Sequence, residues 1–131
     1  MVFENPALAV FVLDRVRRAV GQRPIVAKLG ATKSPRALHE LASRLASRLD
    51  GFALVHGLRR RVTKPDGTPA FGSPEREVAS VVGAGAWEPS AVQVDELVAW
   101  RKAGAWTKVI LAVGGLTSVA RIQAALDTCA E

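Results

Sequence analysis

Apolar positions along the chain follow two rhythms, helical spacing and short unbroken runs. Leu8, Phe11, Val12, Val16 and Val20 recur at helical spacing, with Asp14, Arg15, Arg17 and Arg18 at other positions. That pattern predicts an amphipathic helix. Asn5 and Pro6 suit its N-cap and first helical position, and Gly21 its C-cap. Pro24 to Leu29 then reads as a strand whose apolar run is interrupted by Lys28. Ser34-Pro35 caps a second helix running to about Leu49, with Leu38, Leu41, Ala42, Leu45 and Leu49 as its buried stripe. After an Asp50-Gly51 turn, Phe52 to Val55 is a second strand, ending at His56-Gly57. A third helix starts at Pro89 with Trp87 or Glu88 near its cap, and Val94, Leu97, Val98 and Arg101 lie on or beside one face. Trp100 and Trp106 are expected to pack over its end. A last helix starts at Ser118, with Val119, Ile122, Leu126 and Cys129 on one face.

The run Val109 to Val113 is apolar throughout and breaks at Gly114-Gly115. A strand without polar alternation is expected to be covered on both faces, as in parallel sheets. The glycine pair permits a sharp turn and close approach of backbone to a ligand. The following helix would point free N–H groups and its positive dipole end at that turn, making a phosphate cradle. A tight turn with nothing bound fits the same residues. Strands alternating with helices predict an α/β fold of βα units with a parallel sheet. Lys28, His56-Gly57 and Gly114-Gly115 then fall near strand C-termini, the edge where such folds bind ligands.

Residues 57–88 break the rhythm. The segment is rich in Gly, Pro and charge and has an expected turn at Pro65-Asp66-Gly67. It reads as a long loop on the active-site side. A small hairpin pairing Arg60–Lys64 with Thr68–Phe71 across the turn is one way to order it. Gly83-Ala84-Gly85 follows its only apolar cluster, Val78 to Val82.

Length and composition narrow the classes. The chain's 131 residues suit a single domain. Its one cysteine, Cys129, allows no internal disulfide and fits a small buried hydrophobe on its stripe better than a nucleophile. His39 and His56 lie in different segments and form no metal-ligand spacing, so no metal is expected. The net charge of +6 suits an anionic partner. With no tyrosine and 5% aromatics, nucleic-acid binding ranks last, and Arg17 and Arg18 read as a solvated helix face. No apolar segment reaches the ~20 residues needed to cross a bilayer. The N-terminal stretch lacks the basic region of a signal peptide, so the expected location is cytoplasmic.

Several short motifs occur in a telling order: Asn5-Pro6, Val26-Ala27-Lys28-Leu29, Val55-His56-Gly57, Asp66-Gly67-Thr68-Pro69-Ala70, Gly83-Ala84-Gly85 and Val113-Gly114-Gly115-Leu116-Thr117-Ser118. In this order they resemble the C-terminal half of the dihydroorotate dehydrogenase family, FMN-binding (β/α)8 barrels of pyrimidine biosynthesis. The resemblance spans nearly the whole chain. It implies a partial barrel, a half-barrel lacking the N-terminal strands and the last strand. It implies that Lys28 reaches the flavin N1/O2 edge, and that Gly83 or Gly85, with Gly114 and Gly115, presents backbone N–H groups to the FMN phosphate. A strand-end lysine that snorkels to solvent is the plainer reading of Lys28. The family's substrate-binding asparagine is His56 here, which can donate a hydrogen bond but lacks the amide fork. The family's G-x-x-G is shortened to Gly83-Ala84-Gly85. Its catalytic Ser or Cys base belongs to a motif absent from this chain, so no catalytic residue is assigned.

Two functions compete on this reading. One is an FMN-dependent dehydrogenase acting on a small anionic substrate, in which FMN takes a hydride from dihydroorotate and this chain supplies part of the flavin site. The other is a non-catalytic half-barrel that binds a phosphate-bearing ligand or serves only as an association module. Open sheet edges would in either case call for a homo-oligomer or for a missing N-terminal half.

Overall fold

The computed structural model describes residues 2–73, 78–104 and 106–129. A 3-10 turn at Val2–Glu4 leads into helix α1 (Pro6–Val20), strand β1 (Val26–Leu29), helix α2 (Pro35–Leu45) and strand β2 (Gly51–Leu54). Strands β3 (Leu58–Arg61) and β4 (Val78–Val81) come next, then a second 3-10 turn at Gly83–Ala86. Helix α3 (Trp87–Lys102), strand β5 (Val109–Ala112) and helix α4 (Val119–Cys129) follow. The caps expected from sequence form: Asn5 Oδ1 accepts from Leu8 N at 3.1 Å and Ser34 Oγ from Ala37 N at 3.2 Å. Helix α2 stops at Leu45, short of the expected Leu49, yet Leu49 is buried.

The fold is α/β. Strands β1, β2 and β5 form a parallel sheet in the order β1-β2-β5. One register row aligns Ala27, Phe52 and Ile110, and another aligns Leu29, Leu54 and Ala112. These rows face the helices. Phe52, Leu54, Leu29 and Ile110 join Leu38, Leu41 and Leu45 of α2, Val94, Leu97 and Val98 of α3, and Ala9 and Leu13 of α1 in one core. Trp106 is buried against Phe52 and stacks on Trp100, so both tryptophans close this core as expected.

The opposite face is open at its two outer strands among the described residues, while Gly51 and Ala53 of the central strand are buried. The rows of this face are Val26, Gly51 and Val109, and Lys28, Ala53 and Leu111. Val109 is 52% exposed and Leu111 44%. This corrects the expectation that the apolar run at β5 is covered on both faces: helices pack on one side only. Two helical stripes also turn outward. Leu8, Phe11, Val12 and Val16 of α1 are exposed while Ala9 and Leu13 carry its packing, and Val119, Ile122 and Leu126 of α4 are exposed while Ala125 is buried. The side chain of Cys129 lies outside the described residues.

Residues 57–88, expected as a loop, instead carry an antiparallel ribbon. Leu58 pairs with Val81 and Arg61 with Val78. The inner hairpin expected across Pro65-Asp66-Gly67 forms as a short one: Thr63 bridges Pro69, Lys64 N donates to Thr68 O at 2.8 Å and Ala70 N to Val62 O at 3.1 Å. Asp66 Oδ1 fixes that turn by accepting from the amide and hydroxyl of Thr68. β-Branched Val78 and Val81 of the apolar cluster make the longer pairing.

At the N-terminal edge of the sheet, Asp50 is a junction. Its N–H donates to Ile25 O at 2.8 Å, and its carbonyl accepts from Val109 N at 3.0 Å. Its carboxylate accepts from Ile25 N (2.9 Å), Arg17 (3.0 Å) and Lys108 (3.4 Å). Arg17 also donates to the carbonyls of Gly21, Arg23 and Arg48. Arg17 is therefore a structural tie, where the sequence suggested a solvated face. No helix among the described residues is long and apolar enough to cross a membrane.

Candidate functional site

The C-terminal ends of β1, β2 and β5 lie side by side, and hydrogen bonds continue beyond them. Val55 N donates to Val113 O at 2.7 Å, His56 N to Leu29 O at 2.8 Å, and Ala31 N to Gly57 O at 3.2 Å. The peptide between Leu54 and Val55 is cis.

Ser90, in the first turn of α3, is buried at this edge. Its hydroxyl lies 2.6 Å from Val113 O and 3.1 Å from Leu54 O, and accepts from Val55 N at 3.2 Å. One side chain thus ties the start of α3 to the ends of two strands. Gln93, one turn on, accepts at Oε1 from both the amide and the hydroxyl of Thr32, holding the β1–α2 loop. Neither residue stood out in the sequence. Extending the apolar stripe of α3 back one turn from Val94 reaches Ser90, a polar residue at a buried position.

The two glycine segments singled out by sequence meet here. Gly114 and Gly115 have φ of 91° and 75°, a region that favours glycine. A Cβ on Gly114 would strike the Val55 carbonyl, and one on Gly115 the backbone of Trp87. The turn after β5 is therefore seated against the start of α3, directly after the turn holding Gly83 and Gly85. The N–H groups of Gly114 and Gly115 find no acceptor among the described residues.

Arg121 joins the two segments. Its Nη1 lies 3.2 Å from Gly115 O, 3.0 Å from Thr117 Oγ1 and 3.5 Å from Ala84 O. Its guanidinium carbon sits 5.6 Å from the centroid of the Trp87 ring. Beside it runs an open trough of about 610 Å³, lined in part by Arg60, Gly85, Glu88 and Asp95. Ser118 Oγ accepts from Arg121 N at 3.3 Å, which fixes the helix start that carries this side chain.

Lys28 and His56 stand apart from that junction. Lys28 projects from the open sheet face in the row of Ala53 and Leu111, exposed and with no ion-pair partner among the described residues. His56 is exposed just past β2. Of the predicted residues, the structure brings Gly83, Gly85, Gly114 and Gly115 into one neighbourhood and leaves Lys28 on the sheet below it. Among the described residues, no group of three or more His, Cys, Asp or Glu side chains could hold a metal ion.

No protein-family model matches the chain, and no curated protein matches it.

Proposed function

We propose that this chain supplies the flavin-binding part of an FMN-dependent oxidoreductase similar to dihydroorotate dehydrogenases, with its sheet a segment of a (β/α)8 barrel. One observation carries the reading. Among the described residues the helices cover a single face of the parallel sheet, and the other face presents a lysine with no ion-pair partner below a C-terminal edge that holds two glycine turns. In a barrel that face is the interior, and that edge holds the ligand.

The residues fit the cofactor chemically. The unpaired N–H groups of Gly114 and Gly115 suit phosphate oxygens. Lys28 is the cation on the open face and suits the flavin's pyrimidine edge. His56, exposed at the same edge, is the candidate donor to a small anionic substrate. FMN, when bound, supplies hydride acceptance; the residues of this chain bind and orient it. The general base comes from outside these residues.

The test is a visible absorption spectrum of the purified chain, recorded after adding FMN and desalting. The reading expects a retained flavin band that is lost in Lys28→Ala. A folded sample that retains no flavin at any FMN concentration removes it.

A second reading, an association module, is favoured by the exposed apolar rows on the sheet and the outward stripes of α1 and α4. Both outer strands, β1 and β5, also have an edge that pairs with no strand among the described residues. Parallel edges and apolar faces of this kind call for cover by another chain.

A further inference from the structure

Arg121 has one edge of its guanidinium occupied and one free. Nη1 is committed to Gly115 O, Thr117 Oγ1 and Ala84 O. Nη2 and Nε meet no acceptor among the described residues. The Trp87 ring backs the group and the Ser118 cap fixes its helix, so the free fork has little rotamer freedom left to lose. A planar fork with two parallel N–H groups is the geometry that takes two oxygens of a phosphate or carboxylate together.

The surroundings choose between those anions by charge and position. Arg60 lines the same trough and has no ion-pair partner among the described residues. Glu88 and Asp95 line it too. Asp95 lies roughly 10 Å further along α3 than Glu88 at the helical rise per residue. Arg60 and Arg121 thus oppose Glu88 and Asp95 in the trough, so the site for an anion is set by the free Arg121 fork at the Gly85 end, away from Asp95. There the free guanidinium fork lines the trough, and the Gly114-Gly115 turn, whose N–H groups find no acceptor among the described residues, adjoins it through the contact of Arg121 with Gly115 O. A dianion with three acceptor oxygens uses such a set better than a single carboxylate.

We propose that Arg121 is a phosphate-recognising residue, its free guanidinium edge receiving a phosphate monoester seated at Gly85 beside the Gly114-Gly115 turn. The identity of that monoester as FMN rests on the function proposed above; the recognition of phosphate by Arg121 does not.

The experiment compares FMN, riboflavin and inorganic phosphate as ligands of the full chain, using flavin fluorescence quenching and calorimetry. Wild type, Arg121→Ala and Arg121→Lys are measured side by side after circular dichroism establishes that each is folded. Wild type should prefer FMN to riboflavin, and Arg121→Ala should weaken FMN about tenfold or more, as expected for a charge-assisted pair, while riboflavin binding is unchanged. Arg121→Lys should keep the charge yet recover only part of the preference. FMN binding that is indifferent to Arg121→Ala overturns the inference and leaves the flavin reading standing. Phosphate binding lost in Arg121→Ala, with no flavin bound by wild type, supports the inference and removes the flavin reading. If neither phosphate nor FMN binds the folded wild-type chain, both are overturned.

Discussion

The hydroxyl of buried Ser90 sits 2.6 Å from the carbonyl oxygen of half-buried Val113, just past the end of β5. Through it, the first turn of α3 is fixed to the end of β5, and through Val55 N to the end of β2. Removing the hydroxyl withdraws a buried donor and acceptor together, though Val55 N keeps its bond to Val113 O. Ser90→Ala should therefore lower stability by about 1–2 kcal/mol. Urea denaturation should show a lower midpoint at unchanged slope.

Asp50 gives the fold a defined acid response. The backbone N–H of Ile25 first, then Arg17 and Lys108, hold its carboxyl down to about 2 from an ordinary 3.8. A depressed folded-state value means that the ionised form is favoured by folding. The stability it contributes is present above pH 3.8 and is lost as pH falls from there through about 2. Asp50→Asn should flatten the pH dependence of the unfolding midpoint across that window while lowering stability at neutral pH. An unchanged acid slope in the variant would show that other carboxylates carry it.

Gly115 offers a sharper structural test. A side chain there meets the backbone of Trp87, which cannot swing away, and φ is 75°. Gly115→Ala should cost about 1–3 kcal/mol in backbone strain before any clash is counted. Gly67→Ala is the control: its φ is 82° but open space surrounds it. Thermal melts should place Gly115→Ala well below Gly67→Ala; equal losses would mean the turn does not need its close seat on α3.

The open sheet face bears on association. If another copy covers it, Leu111→Glu should convert an oligomer to a monomer without altering the helical signal, because Leu111 points away from the core. Light scattering coupled to size exclusion reads this directly. A wild type that is monomeric at all concentrations tried would remove the self-association reading.

Much of the fold was legible in the chain, and the failures share a cause. Asn5-Pro6 and Ser34-Pro35 act locally, so their caps could be read from neighbouring residues alone. Periodicity located apolar stripes on α1 and α4 and an apolar run at β5. It did not show whether Phe11, Ile122 or Leu111 is covered, since that depends on what packs opposite. The pairing of Leu58 with Val81 spans far more chain than the Pro65-Asp66-Gly67 turn brings together, so local sequence does not show the ribbon. At the site, the glycines were readable because backbone geometry restricts the residue type. Ser90, Gln93 and Arg121 were not, because their partners lie 23 to 61 residues away for the first two and, for Arg121, partly on another turn.

The Asp50 junction divides the labour of the sheet. One residue fixes where β1, β2 and β5 begin, using contacts that all lie at the end remote from the glycine turns and the β3–β4 ribbon. The strands are thus aligned from below as well as by the bonds that continue past their C-terminal ends. Upper-edge loops that carry none of Ser90, Val113, Gly114 and Gly115 can therefore be varied without touching the Arg17–Asp50–Lys108 contacts that set where the strands begin.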